Sequence, residues 1–200
     1  MQIILDNAGK KFGNQWIFRN FDYTFESGIH TSVIGKNGSG KSTLLKVISG
    51  YSNLTEGNIK YLFDEPKQSL SKLYSFISIV SPHQQLIEEF TLSELLIFHY
   101  KLKPSSYNYN NIIELLGLQS NAKKPIKDYS SGMKQRVKLG LALFSDSKLL
   151  LLDEPCTNLD KEGRGWYKIY LEQTSHNRTV IVFSNNNEEE TFSCERSISL

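Results

Sequence analysis

"HTSVIGKNGSGKSTLLKVISG", residues 30–50, decides how the rest of the chain is read. A short run from His30 to Ile34, rich in β-branched residues, enters a glycine-rich loop. From Lys41 the apolar residues recur at helical spacing, up to a Gly50 suited to a C-cap. The loop fits Gly-x-x-x-x-Gly-Lys-[Ser/Thr] over Gly35, Lys36, Asn37, Gly38, Ser39, Gly40, Lys41 and Ser42, followed by Thr43. Its glycines let the backbone curl until consecutive N–H groups face one anion. Lys41 then reaches terminal phosphates and Ser42 offers its hydroxyl to Mg²⁺. The expectation is a loop that holds nucleotide phosphate.

Further along stands "KLLLLDEPCTNLD", residues 148–160, where four leucines built for burial run into Asp153 and Glu154. A buried carboxylate is heavily penalised without a cation or strong donors. The expectation is that this strand runs beside the phosphate loop and that Asp153 faces Mg²⁺ through a water. Glu154, one residue on, points to where an attacking water would sit and can serve as its general base; the bland alternative is an exposed acid at a strand end.

Between these stretches the pattern alternates. "QIIL", "FDYTF", "HTSVI", "GNIKYLF" and "SFISIV" read as strands, separated by turn signals at Gly13, Gly28, Gly57 and Pro66. "TLSELLIFHYKL" opens with a Thr91-x-x-Glu94 capping box, and "NNIIELLGL" continues beyond Pro104, so the middle of the chain reads as a helical insert. After Ser130 come an amphipathic helix through Phe144, the strand "KLLLLD", a polar helix near 161–174, the strand "TVIVFS" and a last strand "RSISL". Strands alternating with helices imply a mainly parallel sheet.

Composition excludes several classes. With 200 residues and 39% apolar content the chain suits one domain with a real core. A net charge of +2 is too small for the basic footprint of a nucleic-acid binder, so no nucleic acid is expected, and Lys123, Lys124 and Lys127 read as a solvated face. Cys156 and Cys194 give no disulfide framework, and the four histidines show no metal-ligand spacing with them. The apolar run at the start is short for a signal peptide and no stretch approaches a membrane span, so a cytoplasmic protein is expected, anchored by something else if it works at a membrane.

"YSSGMKQR", residues 129–136, set shortly before the hydrophobic strand and "DEP", resembles the Leu-Ser-Gly-Gly-Gln signature of the ATP-binding subunits of ABC transporters. The resemblance covers essentially the whole chain. It implies an α/β fold: a P-loop NTPase core with a mainly parallel sheet, an N-terminal antiparallel β subdomain and a helical insert. It also implies a single domain over 1–200, with the core about 1–85 and 136–200 and the helical subdomain about 86–135. In the family, Ser130, Ser131 and Gly132 would begin a helix whose N–H groups and dipole favour the γ-phosphate of ATP bound to a second cassette. Two cassettes, alike or different, then sandwich two nucleotides. Phe12 stands where the family stacks an aromatic on adenine, and Asp160 ends "TNLD", a segment lying across the dimer interface; a core aromatic and a plain helix cap are the respective alternatives. ATP, Mg²⁺ and a transmembrane permease that meets the helical insert at the inner face of the membrane are the implied cofactors and partner.

Two positions depart from the family pattern. Pro82 stands where a glutamine touches Mg²⁺, so Gln84 and Gln85 are the candidates to replace it, with solvent exposure of both as the alternative. Asn185 stands where a switch histidine contacts the γ-phosphate; an amide donates a hydrogen bond but carries no charge. Three functions are weighed: an ATPase driving a separate permease, an ATP-dependent dimerising clamp with little hydrolysis, and a small P-loop kinase. The kinase has no use for "YSSGMKQR".

Overall fold

In the computed structural model the four leucines lie on strand β6 (Leu149–Asp153), every residue of which is buried. Leu149 and Leu151 face one apolar cluster, Leu150 and Leu152 another, so an unbroken apolar run is what a strand covered on both faces requires. Residues 1–63 and 73–200 are described, and the turn signal at Pro66 lies outside them.

Strand β6 belongs to a five-stranded sheet that also contains β3 (His30–Ile34), β5 (Ile77–Val80), β7 (Thr179–Ser184) and β8 (Arg196–Ser199). The order is β5-β6-β7-β3-β8 and every neighbouring pair is parallel. A second sheet pairs β1 (Gln2–Phe12) antiparallel with β2 (Gln15–Phe25) and with β4 (Glu56–Leu62). The α/β core with an antiparallel β subdomain is therefore as expected. One detail differs: β6 is not adjacent to β3, because β7 lies between them. Gly57 also differs. Read as a turn, it sits within β4 at φ +76°, where a Cβ would come 2.0 Å from the Asn7 carbonyl oxygen; the ladder is irregular there, between Asp6 and Gly9.

Helix α1 (Lys41–Ile48) and the inward residues Ile3, Leu5 and Phe25 of the antiparallel sheet cover one face of the parallel sheet. The short α2 (Leu73–Phe76) leads into β5. Leu139 and Leu143 of α5 (Ser131–Leu143), with Tyr167 and Leu171 of α6 (Lys161–Thr174), cover the other face. Helices α3 (Leu92–Leu102) and α4 (Tyr109–Leu115) build a separate apolar cluster with Val137 and Leu141 of α5. The capping box of α3 is formed: Glu94 accepts the Thr91 N–H at 2.8 Å while Thr91 accepts the Glu94 N–H. The last helix, α7 (Glu188–Thr191), follows β7.

Below the sheet, Arg178 holds two helix ends. It is buried, and donates to the Leu143 carbonyl at 2.9 Å, the Ala142 carbonyl at 3.2 Å and the Thr174 carbonyl at 3.4 Å, as well as to the Ser147 hydroxyl. Burial lowers its pKa to about 10, so the guanidinium stays charged at neutral pH against the negative ends of α5 and α6. Arg178→Met would leave those carbonyls unpaired, and the expected loss is about 2 to 4 kcal/mol of stability, read in urea as a lower midpoint with an unchanged slope.

Candidate nucleotide-binding site

The loop between β3 and α1 takes the curled form its glycines allow. Gly40, the residue before α1, has φ +106°, and a Cβ there would also meet Ile17 Cγ2 at 2.6 Å. Lys41 is almost fully buried and folds back over the loop, its Nζ donating to the Gly35 carbonyl at 2.6 Å and the Lys36 carbonyl at 3.0 Å. An ammonium has three donors, so one remains for the space in front of the loop. Ser39 Oγ is buried without a hydrogen-bond partner among the described residues, an orphan hydroxyl inside a loop read as phosphate-binding.

Although β7 separates the strands, the Ser42 hydroxyl reaches across and donates to Asp153 Oδ2 at 2.9 Å. Asp153 is only 5% exposed, and burial raises its pKa; the Ser42 bond and the Lys41 charge pull the other way, and Glu154 adds to the rise. Ser42 and Asp153 are hard oxygen donors of the kind Mg²⁺ takes, so the donor set fits that ion. Among the described residues no group of three His, Cys, Asp or Glu side chains is arranged to hold a metal.

A pocket of about 420 Å³ gathers these groups: Asn37, Gly38 and Gly40 from the loop, Lys41, Ser42 and Thr43 from the start of α1, Ile17 from β2, Asp153 at the end of β6 with Glu154 just after it, and Pro82 with His83. Glu154 and Asn37 also line an adjoining pocket of about 300 Å³ with Asn185, Asn187 and Glu190. The structure thus brings Glu154 and Asn185 together around one space, with the loop at its edge.

The glutamines do not come to the phosphate pocket. Ser81 to Gln84 form a turn, closed by the Gln84 N–H on the Ser81 carbonyl at 3.2 Å, with Pro82 supplying the fixed φ a turn favours. The turn aims His83 into the pocket, sends Gln84 into a cleft beside Ser78 and Lys103, and leaves Gln85 exposed. Lys138 of α5 donates to the Pro82 carbonyl at 3.3 Å. Phe12 is 56% exposed at the β1–β2 turn with the Lys10 ammonium 5.1 Å from its ring centre, and it does not line the phosphate pocket. His83, Ile17 and Glu190 were missed in the sequence; none carries a local signal, since each reaches the site only through tertiary placement.

The start of α5 is elsewhere. The Ser130 hydroxyl accepts the Met133 N–H at 3.2 Å, and Ser131 is exposed. Ser130, Gly132, Asn158 and Asp160 line a pocket of about 290 Å³ that shares no residue with the phosphate pocket. Asp160 caps α6, its Oδ1 accepting the Gly163 N–H at 2.7 Å.

Known proteins resemble this chain throughout. The sequence model of the ABC transporter family matches residues 18–157. The sulfate/thiosulfate import ATP-binding protein CysA of Mesostigma viride is 32% identical over 197 residues, covering 94% of this chain and 56% of that protein. An uncharacterized ABC transporter ATP-binding protein of Bacillus subtilis, YybJ, is 29% identical, covering 97% of this chain and 90% of its own. The chain spans 65% of a Nod factor export ATP-binding protein I from Rhizobium leguminosarum bv. viciae, at 30% identity over 97% of this chain. Among solved structures, an ATP-binding subunit of an ABC transporter superposes with TM-score 0.87 at 20% identity, over 100% of this chain and 86% of that one, which is evidence of fold alone.

Glu154 has φ +45°, a left-handed conformation that costs a non-glycine residue roughly 1 to 2 kcal/mol. Glu154→Gly should therefore be more stable than Glu154→Ala by about 1 kcal/mol in thermal or urea unfolding, although glycine is ordinarily the destabilising choice. The reverse order would mean that the turn after β6 is unstrained.

Proposed function

The chain belongs to the ATP-binding proteins of ABC transporters, and from that premise we propose that it is the ATPase subunit that powers a separate membrane permease by ATP-driven pairing of two cassettes. The observation that carries the reading is the single pocket ringed by Lys41, Ser42, Asp153 and Glu154. Loop N–H groups and Lys41 would hold the β- and γ-phosphates, and Phe12, exposed beside that strand turn, would stack on the base. Mg²⁺, held through Ser42 and Asp153, would neutralise charge on the phosphates. Glu154 would take the proton of the attacking water as the water oxygen bonds to the γ-phosphorus and the bond to the bridging oxygen breaks. Asn185, across the same space, would position the γ-phosphate by a neutral hydrogen bond.

Among the described residues no helix is long and apolar enough to cross a membrane. A mostly apolar cleft of about 380 Å³, lined by Tyr51, Tyr74, Ile79, Gln84 and Lys103, opens between α1, β5 and the helical insert, and it is where a permease helix would dock. Tyr51 and Tyr74, 83% and 67% exposed, stand at it as the aromatic anchors interfaces favour. Ser130, Ser131 and Gly132 would complete the nucleotide site of an opposing cassette, with Asp160 in the segment between. Attachment through the permease would set the protein at the cytoplasmic face of the membrane.

Asn185 favours a second reading, a clamp that pairs on ATP and hydrolyses little. A charge-assisted donor is worth roughly 1 to 2 kcal/mol more than a neutral one, or about tenfold in rate. Steady-state phosphate release at saturating ATP separates the readings. We expect slow turnover in the wild type, none in Lys41→Ala, and about tenfold more in Asn185→His with similar ATP affinity. ATP binding without turnover in wild type and Asn185→His alike would select the clamp, and undiminished turnover in Lys41→Ala would remove the assignment of the site.

A further inference from the structure

Glu190 is a buried acid that forms no salt bridge among the described residues. It is 4% exposed on α7, while its neighbour Glu189 takes the Arg164 guanidinium at 2.6 Å. Both its carboxyl oxygens are engaged: Oε2 accepts the Ser184 hydroxyl at 2.5 Å and Oε1 accepts the Cys156 N–H at 3.2 Å. Its carbonyl accepts the Tyr167 hydroxyl at 3.1 Å, which seats α7 on α6. The Ser184 oxygen, in turn, accepts the Asn187 N–H at 3.1 Å.

The two groups it holds flank the two residues that face each other in the adjoining pocket. Ser184 immediately precedes Asn185, and Cys156 stands two residues after Glu154. Glu154 is in a left-handed conformation, and such backbone persists only where the surroundings over-determine it. Here the Glu154 N–H donates to the Phe183 carbonyl at 2.9 Å, Gln135 donates to the Pro155 carbonyl at 2.9 Å, and Glu190 holds the Cys156 N–H. Of these three restraints, the first and the last come from the chain on either side of Asn185, the first through the backbone of β7 and the last through a side chain of α7. Burying a carboxyl group without a cation is costly, and an apolar residue would fill this place at lower cost.

We infer that Glu190 is a positioning residue that sets the spacing between Glu154 and Asn185 by holding Cys156 and Ser184 on one carboxyl group. Its effect on turnover rests on the hydrolytic reading above; its effect on the backbone does not. Misplacing a reacting group by a fraction of an ångström costs about tenfold or more in rate while leaving ground-state binding intact.

The test uses the full chain and four variants: Glu190→Ala, Glu190→Gln, Asn185→Ala and the double alanine variant. Glu190→Ala should lower turnover about tenfold with ATP affinity changed less than twofold. Asn185→Ala should do the same, and the double variant should be no slower than the slower single, because both act on one spacing. Glu190→Gln should keep more than half the activity, since its amide oxygen still accepts the Cys156 N–H and its amino group can donate to Ser184. In the nucleotide-free protein, amide exchange at Cys156 and Asn187 should quicken about tenfold in Glu190→Ala and remain near wild type in Glu190→Gln. Additive losses in the double variant, or exchange at Cys156 indifferent to Glu190→Ala, would overturn the inference. If the alanine variant does not fold, wild-type exchange with turnover in Glu190→Gln supports it and a tenfold loss of either contradicts it. A wild-type protein that binds ATP without turnover sinks the hydrolytic reading instead, and exchange at Cys156 alone then decides the role of Glu190.

Discussion

A carboxylate at the end of a strand covered on both faces is the constraint around which the site is built. Asp153 is buried because β6 is buried, and its ionised form is tolerated through the Ser42 hydroxyl, with Lys41 nearby as a partial counter-charge. Because burial raises its folded pKa, Asp153 contributes stability at low pH that is lost as pH rises through that pKa. A divalent cation shared between Ser42 and Asp153 would reverse that penalty, so ligand and fold are coupled at one oxygen pair. The start of α1 and the end of β6 are thereby joined across β7.

Helix α5 supplies the second set of restraints. Its Gln135 holds the Pro155 carbonyl after β6, and its Lys138 holds the Pro82 carbonyl of the turn that presents His83. The same helix contributes to the apolar cluster of the helical insert and to the sheet core, so movement of the insert would be felt at both edges of the phosphate pocket. This gives a physical route by which a partner seated beside Gln84 and Lys103 would act on the groups that face phosphate.

Where local chemistry suffices, the sequence is legible. Asp160 as cap and the polar helical run after it delimit α6 at Lys161–Thr174, and the all-apolar core of "TVIVFS" gives β7, because capping and burial on both faces are written into adjacent residues. The curl of the loop before α1 is legible too, because its glycines at positive φ stand within the motif itself. Gly57 is not, because its positive φ answers to Asn7 on another strand. The sequence leaves Gln84 and Gln85 open between the metal and solvent, because register along a gapless reading cannot anticipate the turn from Ser81 to Gln84, which puts Gln84 in a neighbouring cleft and Gln85 on the surface. Glu190 is invisible in "NNNEEE", since its meaning depends on Cys156, far off in the chain.

One chain carries the glycine-rich loop and the start of α5 in separate pockets, and the proposed function joins them only through a second cassette. The direct measurement is the molar mass of Glu154→Gln by size-exclusion chromatography with light scattering, at tens of micromolar protein, with and without ATP and Mg²⁺. The account predicts a monomer without nucleotide and a dimer with it, the mass returning to that of the monomer when Lys41→Ala is added. A monomer under saturating ATP would contradict pairing of two copies of this chain.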